Sequence, residues 1–140
     1  MADPTTPASS PMMAVAVSAL KAQQARMRVI AENIANADST ATTPGGAPYR
    51  RQAPVFQTSK IDGANGVKLA EVAQDNTPFK LEYEPGNPAA DANGYVQKPN
   101  VNSLLEAMDM REAQRAYEAN LNVIDTARAM DNSTLGILKQ

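Results

Sequence analysis

The chain has 140 residues, a formal net charge of −2 at pH 7, and neither histidine nor cysteine. This composition excludes cysteine-based redox chemistry and disulfide bonds, and it provides no basic surface for nucleic acid. Leu, Ile, Val and Phe together make up only about 17% of the residues, and alanine alone is as frequent, so we expect helices that bury part of their surface against other chains.

The first segment, residues 1–11, is rich in Pro, Ser and Thr and is predicted to be a flexible N-terminal extension. It has no basic stretch followed by a long apolar run, so no Sec signal peptide is predicted. No stretch of the sequence approaches the roughly 18 apolar residues of a membrane span. We therefore expect no membrane span and, if the protein leaves the cytoplasm, a different export route.

A long helix is predicted over about residues 12–36. Apolar residues recur along it every seven positions, at Met13, Leu20, Met27 and Ile34. This is the spacing typical of a coiled-coil seam, and Ile30 widens the stripe.

Two asparagines, Asn33 and Asn36, stand where this helix should end. They lie on neighbouring turns of one face, and each amide can both donate and accept hydrogen bonds. One interpretation is that they bond across subunits and set the register of an assembly. The alternative is that Asn36 is a left-handed C-cap and Asn33 a solvated surface residue.

The middle of the chain, residues 39–101, has Gly and Pro at short intervals and no helical period, which predicts a small antiparallel β module with a tethering loop. Strands are predicted in YRRQAPVFQTSK, GVKLAEVAQ and FKLEYE. Asn65–Gly66 is predicted to form the tight turn between the first two strands, and Asn93–Gly94 marks another turn.

Signals for chemistry in this module are weak. Glu82, Glu84 and Asp91 could serve as acid and base or bind calcium, but DANGYVQ places its glycine at position four and not at the sixth position of a calcium loop. PGGAPYR lacks the lysine and serine of a phosphate-binding loop. We predict no catalytic residue, no metal site and no cofactor, and hence no enzyme.

A second long helix is predicted over about residues 103–138, with a capping box formed by Ser103 and Glu106. Its predicted seam contains Tyr117, Leu121, Ile124 and Leu135. A second apolar stripe runs round the side and includes Leu105, Met108, Val123 and Met130. Because the first helix can cover only one stripe, the other predicts a contact with a different chain.

Three segments carry a resemblance to a known family. ALKAQQARMRVIAENIANADST resembles the N-terminal motif of the bacterial flagellar rod and hook family, and RAYEANLNVIDTARAM resembles its terminal helix. YEPGNPAADANGYVQKPNV is similar to the segment that marks proximal-rod members of that family. The residues of this loop motif are Tyr83, Pro85, Pro88, Asp91, Gly94, Tyr95, Pro99 and Asn100.

The resemblance implies a structural subunit of the flagellar basal-body proximal rod, the drive shaft that transmits motor torque across the periplasm. It implies passage through the flagellar type III export apparatus and helical assembly afterwards. The implied partners are copies of the chain, other rod subunits, and the adaptor between MS ring and export gate at the base of the rod. The predicted packing residues are the two helix seams together with Ile30, Asn33 and Asn36.

The expected fold is therefore mainly α with a small β module. Residues 12–38 and 102–140 would pair as a coiled-coil domain, and residues 39–101 would form the β module and its loop. A weak core and a surplus stripe fit a subunit whose terminal helices order only on assembly. The alternative is a soluble helical interaction module, such as an export chaperone or adaptor, whose helices would be stable in the free chain.

Overall fold

The structure, a computed structural model, describes residues 11–139. Its elements are α1 (Pro11–Ala35), β1 (Gln52–Ile61), β2 (Ala64–Gln74), β3 (Lys80–Tyr83), β4 (Tyr95–Lys98) and α2 (Ser103–Leu138). β1 pairs antiparallel with β2, and β3 with β4, in two separate two-stranded sheets. The predicted combination of long helices and a small β module is confirmed. The predicted flexible extension lies outside the described residues except for Pro11, which begins α1.

The two helices run antiparallel along each other. Asn33 near the end of α1 contacts Glu106 in the first turn of α2, while Met12 lines a groove with Ala127 and Met130. Buried or half-buried residues follow α2 at alternating spacings of four and three, at Glu106, Met110, Ala113, Tyr117, Asn120, Ile124 and Ala127. This inward stripe faces α1.

The inward stripe agrees with only half of the predicted α2 seam, because it contains Tyr117 and Ile124 but not Leu121 and Leu135. Leu121 and Leu135 are 38% and 56% exposed, whereas Ala113 and Ala127 are buried, so the prediction that these leucines lie between the two helices of one chain is wrong. Small side chains at the contact let two helices approach closely, and the larger apolar side chains then remain on the outer face.

The opposite side of α1 packs against the β1–β2 hairpin. The Val67 backbone N–H donates to Ser18 Oγ at 3.2 Å, and a Cβ on Gly66 would lie 2.5 Å from Ile61 Cδ1 and 2.9 Å from Ser18 Oγ. A side chain at position 66 would therefore displace Ile61 or Ser18 where the strand meets the helix.

The hairpin turn is at Asp62–Gly63, and the predicted turn at Asn65–Gly66 is wrong. Asp62 and Gly63 have φ of 48° and 83°, as a two-residue type I′ turn requires at both positions. Asn65 pairs with Lys60 inside the ladder. Both Asp-Gly and Asn-Gly suit such a turn, but only the first leaves Gly66 at the contact with α1.

The helix ends also differ from prediction. Asn102 caps α2, since its side chain accepts from the backbone N–H of Leu104 at 3.1 Å; the predicted capping box of Ser103 and Glu106 is wrong because the Glu106 side chain points to the β module. Asn36 caps α1 through its side-chain amide, which donates to Glu32 O at 2.9 Å. Asn36 is not left-handed, since Asp62 is the one non-glycine with positive φ in residues 11–139.

The core is made of small side chains. Within the described part of the chain, the buried apolar residues are Ala, Val and Ile, without any Leu, Met or aromatic residue. Large apolar residues lie mostly at the surface, as expected for a chain that completes its burial in contact with others. Neither described helix is long and apolar enough to cross a membrane.

Candidate functional site

Both helices and the β module meet at a polar junction, which consists of Asn33, Tyr49, Arg51, Asp75, Asn100 and Glu106. Glu106 is 1% exposed, and its Oε1 accepts from Arg51 Nε. Arg51 also reaches Asp75 Oδ2 at 3.3 Å. Arg51 thus joins the first turn of α2 to the end of β2, and it compensates a carboxylate that would otherwise be buried without a partner.

Asn33 fastens α1 to the same junction. Its Nδ2 donates to Gln52 O at 2.8 Å, and its Oδ1 accepts from Tyr49 Oη at 2.8 Å and from Gln52 N at 3.0 Å. It is 1% exposed, so the interpretation of Asn33 as a solvated surface residue is wrong. These bonds all lie within one chain, and Asn33 therefore positions α1 relative to β1.

Asn100 holds the junction from the other side. Its Oδ1 accepts from the Arg51 backbone N–H at 2.7 Å, and its Nδ2 donates to Asp75 O at 2.9 Å. Arg50 closes this edge, since its guanidinium donates to Asp75 O and lies 4.1 Å from the centroid of the Phe79 ring. The segments before β1, after β2 and before α2 are thereby fixed to one another.

The electrostatics of the junction favour charged Arg51 and Asp75. Burial lowers the pKa of Arg51, but the hydrogen bond and charge of Glu106, with those of Asp75, raise it above its ordinary value. Hydrogen bonds from the Thr77 backbone and side chain, together with Arg51, hold the pKa of Asp75 below its ordinary value. Burial and the charges of Glu32 and Glu106 raise the pKa of Tyr49, so Tyr49 stays a neutral donor to Asn33.

The loop motif forms the β3–β4 hairpin and its connection. Tyr83 pairs with Tyr95 across the strands, and their rings meet edge to face at 5.3 Å. Gly94 has a φ of 85°, and a Cβ there would lie 2.8 Å from the Tyr83 ring. Asp91 Oδ1 accepts from the backbone N–H of Asn93 and of Tyr95, which fixes the predicted turn.

The three carboxylates considered for chemistry have structural partners. Asp91 holds the turn, while Glu84 and Glu82 approach Lys98 Nζ at 3.1 and 3.9 Å. Hydrogen bonds from Asn87 and Lys98 lower the pKa of Glu84. Among the described residues, no group of acidic side chains is arranged to hold a metal ion. These contacts arrange a hairpin and do not assemble a catalytic pair.

The predicted packing residues separate into three classes. Ile30, Asn33 and Ile124 are buried, Met13, Leu20, Met27, Asn36 and Tyr117 are half-buried, and Ile34, Leu121 and Leu135 are exposed. In the loop motif, Gly94 and Pro99 are buried and Asn100 is half-buried, while Tyr83, Pro85, Pro88, Asp91 and Tyr95 are exposed.

Leu121 and Leu135, from the exposed class, belong to an outer apolar surface along α2, whereas the exposed Ile34 lies on α1. The outer apolar surface comprises Leu104, Leu105, Met108, Leu121, Val123, Met130, Leu135, Ile137 and Leu138. Leu105, Met108, Val123, Met130 and Ile137 lie on one side of α2, away from the inward stripe, whereas Leu121 and Leu135 flank that stripe. Exposed apolar side chains therefore lie on more than one side of the helix. Such a surface on a small protein is typical of an interface with another protein.

Comparisons with known proteins bear on what this surface meets. The family described as "Flagella basal body rod protein" matches residues 13–41, and the family described as "Flagellar basal body rod FlgEFG protein C-terminal" matches residues 92–137. These matches cover α1, β4 and nearly all of α2, and leave the β1–β2 hairpin outside.

Relatives match over nearly the whole chain. The flagellar basal-body rod protein FlgC of Agrobacterium fabrum is 48% identical over 98% of this chain and 97% of its own length. The chain belongs to the FlgC family of flagellar basal-body rod proteins. FlgC of Salmonella typhimurium is 49% identical over 86% of this chain and 91% of its own, and FlgC of Bacillus subtilis is 39% identical over 89% and 95%. As a FlgC-family member, the chain is a structural rod protein of the flagellar basal body and not an enzyme.

Sequence reasoning missed Tyr49, Arg51 and Asp75, which complete the polar junction. The partners lie far apart in sequence, as in the pair of Arg51 with Glu106, separated by 55 residues. Glu106 falls on the heptad position of Ala113 and Ala127, but the sequence did not show that this position faces α1. A buried glutamate requires a cation, but only the fold identifies which one.

Proposed function

We propose that this chain is a proximal-rod subunit that transmits motor torque across the periplasm after passage through the type III export apparatus. α1 and α2 act as a coiled coil within a helical assembly. The partners are copies of the chain, other rod subunits, and the adaptor between MS ring and export gate. The absence of cysteine suits a chain that travels unfolded, since no disulfide can form on the way.

The outer apolar surface of α2 is the observation that carries this proposal. In an isolated chain these side chains remain in water, and each Leu or Met that becomes covered contributes about 1.5–3 kcal/mol. A contact repeated between different patches of identical chains does not close on itself and extends along an axis. A rod subunit needs an apolar surface that its own fold leaves exposed, and α2 provides such a surface.

The polar junction gives the subunit the stiffness that torque transmission requires. Glu106, Arg51 and Asn33 lock the angle between the helices and the β1–β2 hairpin through a charged hydrogen bond and through partly buried hydrogen bonds. Networks of this kind allow few alternative geometries. In this proposal Asn33 and Asn36 act within their own chain, and the exposed Ile34 and Leu121 make the contacts between chains.

The test is a charge placed at an exposed apolar position of either helix, Leu121 on α2 or Ile34 on α1. We expect Leu121→Asp or Ile34→Asp to abolish rod assembly and swimming, because a carboxylate would be buried at the interface without a partner. Both positions are about 40% exposed, so the charge costs the single chain little and its amount in the cell should not change.

Ala129→Asp is the matched control, because it adds the same charge at an exposed position of α2 that is not part of the apolar surface. Swimming is scored in cells that depend on the variant, with immunoblots of total cells and of isolated basal bodies. Normal incorporation of Leu121→Asp and Ile34→Asp would contradict the proposal.

A further inference from the structure

An apolar groove of about 540 Å³ lies between the first half of α1 and the β1–β2 hairpin. Val17, Val67 and Leu69 are among its lining residues. Lys21 and Lys68, both exposed, are the charged residues that line it. Within the described part of the chain, neither lysine forms an ion pair.

The C-terminal turns of α2 extend past the start of α1. Met12, in the first turn of α1, lies beside Met130, and α2 continues to Leu138, which at ~1.5 Å per residue adds about 12 Å. After Ala127, every described residue of α2 is exposed. We call residues 129–138 the overhang; its large apolar side chains are Met130, Leu135, Ile137 and Leu138.

The overhang complements the groove in charge as well as in polarity. It contains Asp131 and no basic residue, and Asp131 has no ion pair within residues 11–139. Asp131, Leu135 and Leu138 are spaced four and then three residues apart, so they share one face of the helix. When this face enters the groove, its carboxylate meets a rim that carries two lysines.

We propose that the overhang of one copy docks in the groove of a second copy of the same chain. The overhang cannot reach its own groove, because α2 is helical to Leu138 and points away past α1. The overhang projects beyond the first turn of α1 while the groove spans the turns that follow, so the two copies are offset along the helix direction. An offset contact between different patches builds a helical array and not a closed ring.

The test uses engineered thiols, since the chain has no cysteine of its own. Val67→Cys in the groove and Leu135→Cys in the overhang are produced together in cells that contain no other copy of the chain. Basal bodies are isolated, oxidised and analysed without reductant. We expect a disulfide-linked homodimer when both variants are present and none with either variant alone, because a disulfide forms only when the Cα atoms approach to about 4.4–6.8 Å.

Met108→Cys is the matched control for the overhang. Its side chain is 58% exposed, against 56% for Leu135, and it lies at the other end of α2. Together with Val67→Cys it should give no homodimer. Val67→Cys with Leu138→Cys is tested in parallel, so that one unfavourable thiol orientation does not decide the result.

The inference rests on the proposed rod function, and the outcomes separate the two. A homodimer from either overhang thiol, without one from Met108→Cys, supports the docking. Incorporation of the variants without a homodimer, or with the overhang thiol linked to a different rod protein, overturns docking between copies and leaves the rod function standing. If even the unaltered chain is missing from basal bodies, the proposed function fails, and the docking fails with it.

Discussion

At the scale of residues, the polar junction depends on one buried carboxylate. Glu106 is the largest of the side chains that are almost fully buried in the described chain, and its charge is tolerated because Arg51 donates to it. Arg51 is about a quarter exposed and has Asp75 as a second partner, so the pair is not isolated from solvent. The effect of the Arg51–Glu106 ion pair on stability should lie between the effects of surface ion pairs and of fully buried ion pairs.

Glu106→Gln should lower the free energy of unfolding by about 1–3 kcal/mol, because the charged hydrogen bond is lost while the shape of the side chain is kept. Urea unfolding followed by circular dichroism measures this. Glu112→Gln is the matched control: Glu112 pairs with Arg26 at 3.5 Å but is 72% exposed, so its loss should cost less than about 1 kcal/mol. Equal effects of the two substitutions would contradict the assigned role of Glu106.

Asp75 makes the junction sensitive to acid. Its pKa in the folded chain is lowered below the value of about 3.9 in an unfolded chain. Its contribution to stability is therefore present above about pH 4 and is lost as the pH falls through the lowered folded pKa. Asp75→Asn should reduce the loss of unfolding free energy between about pH 5 and pH 2, measured by urea unfolding across that range. An unchanged pH dependence would show that Asp75 does not contribute in this way.

At the scale of elements, the β1–β2 hairpin is held to α1 by a close approach at Gly66. Within residues 11–139 neither two-stranded sheet gains a third strand, and an isolated hairpin is only marginally stable. The hairpin therefore depends on its contact with α1, where Ser18 both receives the Val67 N–H and donates to Val15 O at 2.7 Å.

Gly66→Ala should destabilise the chain by about 1–3 kcal/mol, because the added methyl group would overlap Ile61 and Ser18. Gly86→Ala is the matched control, since a Cβ there meets nothing within 4 Å and should change stability by less than about 0.5 kcal/mol. Thermal unfolding of both variants gives the comparison. A neutral Gly66→Ala would mean that the hairpin can move away from α1 without cost.

At the level of the whole molecule, the described chain buries only part of its apolar side chains. In the described residues, the buried apolar side chains are Ala, Val and Ile, and about half of the exposed large apolar side chains lie on α2. Burial of small side chains contributes less hydrophobic free energy per residue. Stability should therefore be graded along α2, from the polar junction at its start to the exposed overhang at its end.

Hydrogen exchange on the unassembled chain tests this gradient. We expect slow exchange in the β1–β2 ladder and around Ala113, where α2 packs on α1, and fast exchange beyond Ala127. In isolated rods the overhang should become protected. Uniform protection of α2 in the free chain would indicate a self-contained fold and would favour the chaperone or adaptor alternative.

Much of the fold could be predicted from sequence because its signals are local. Helical periodicity, the alternation in the strands, and Gly94 at its turn each depend on residues within a few positions. Only half of the α2 seam was predicted correctly, because the prediction favoured large apolar residues and therefore chose Leu121 and Leu135. Helix packing selected the smaller Ala113, Asn120 and Ala127 instead, since close approach of two helices needs space more than it needs large apolar side chains.

The two long helices, the β module between them and the membership in a flagellar rod family follow from the sequence alone. The folded chain was needed to show which stripe of α2 faces α1, that the hairpin turns at Asp62 and not at Asn65, and that Glu106 and Asn33 meet Arg51 and Gln52 in one junction. Periodicity shows that a face is apolar but not what covers it. Partners separated by tens of residues are found only when packing and the need to compensate buried polar groups are satisfied together.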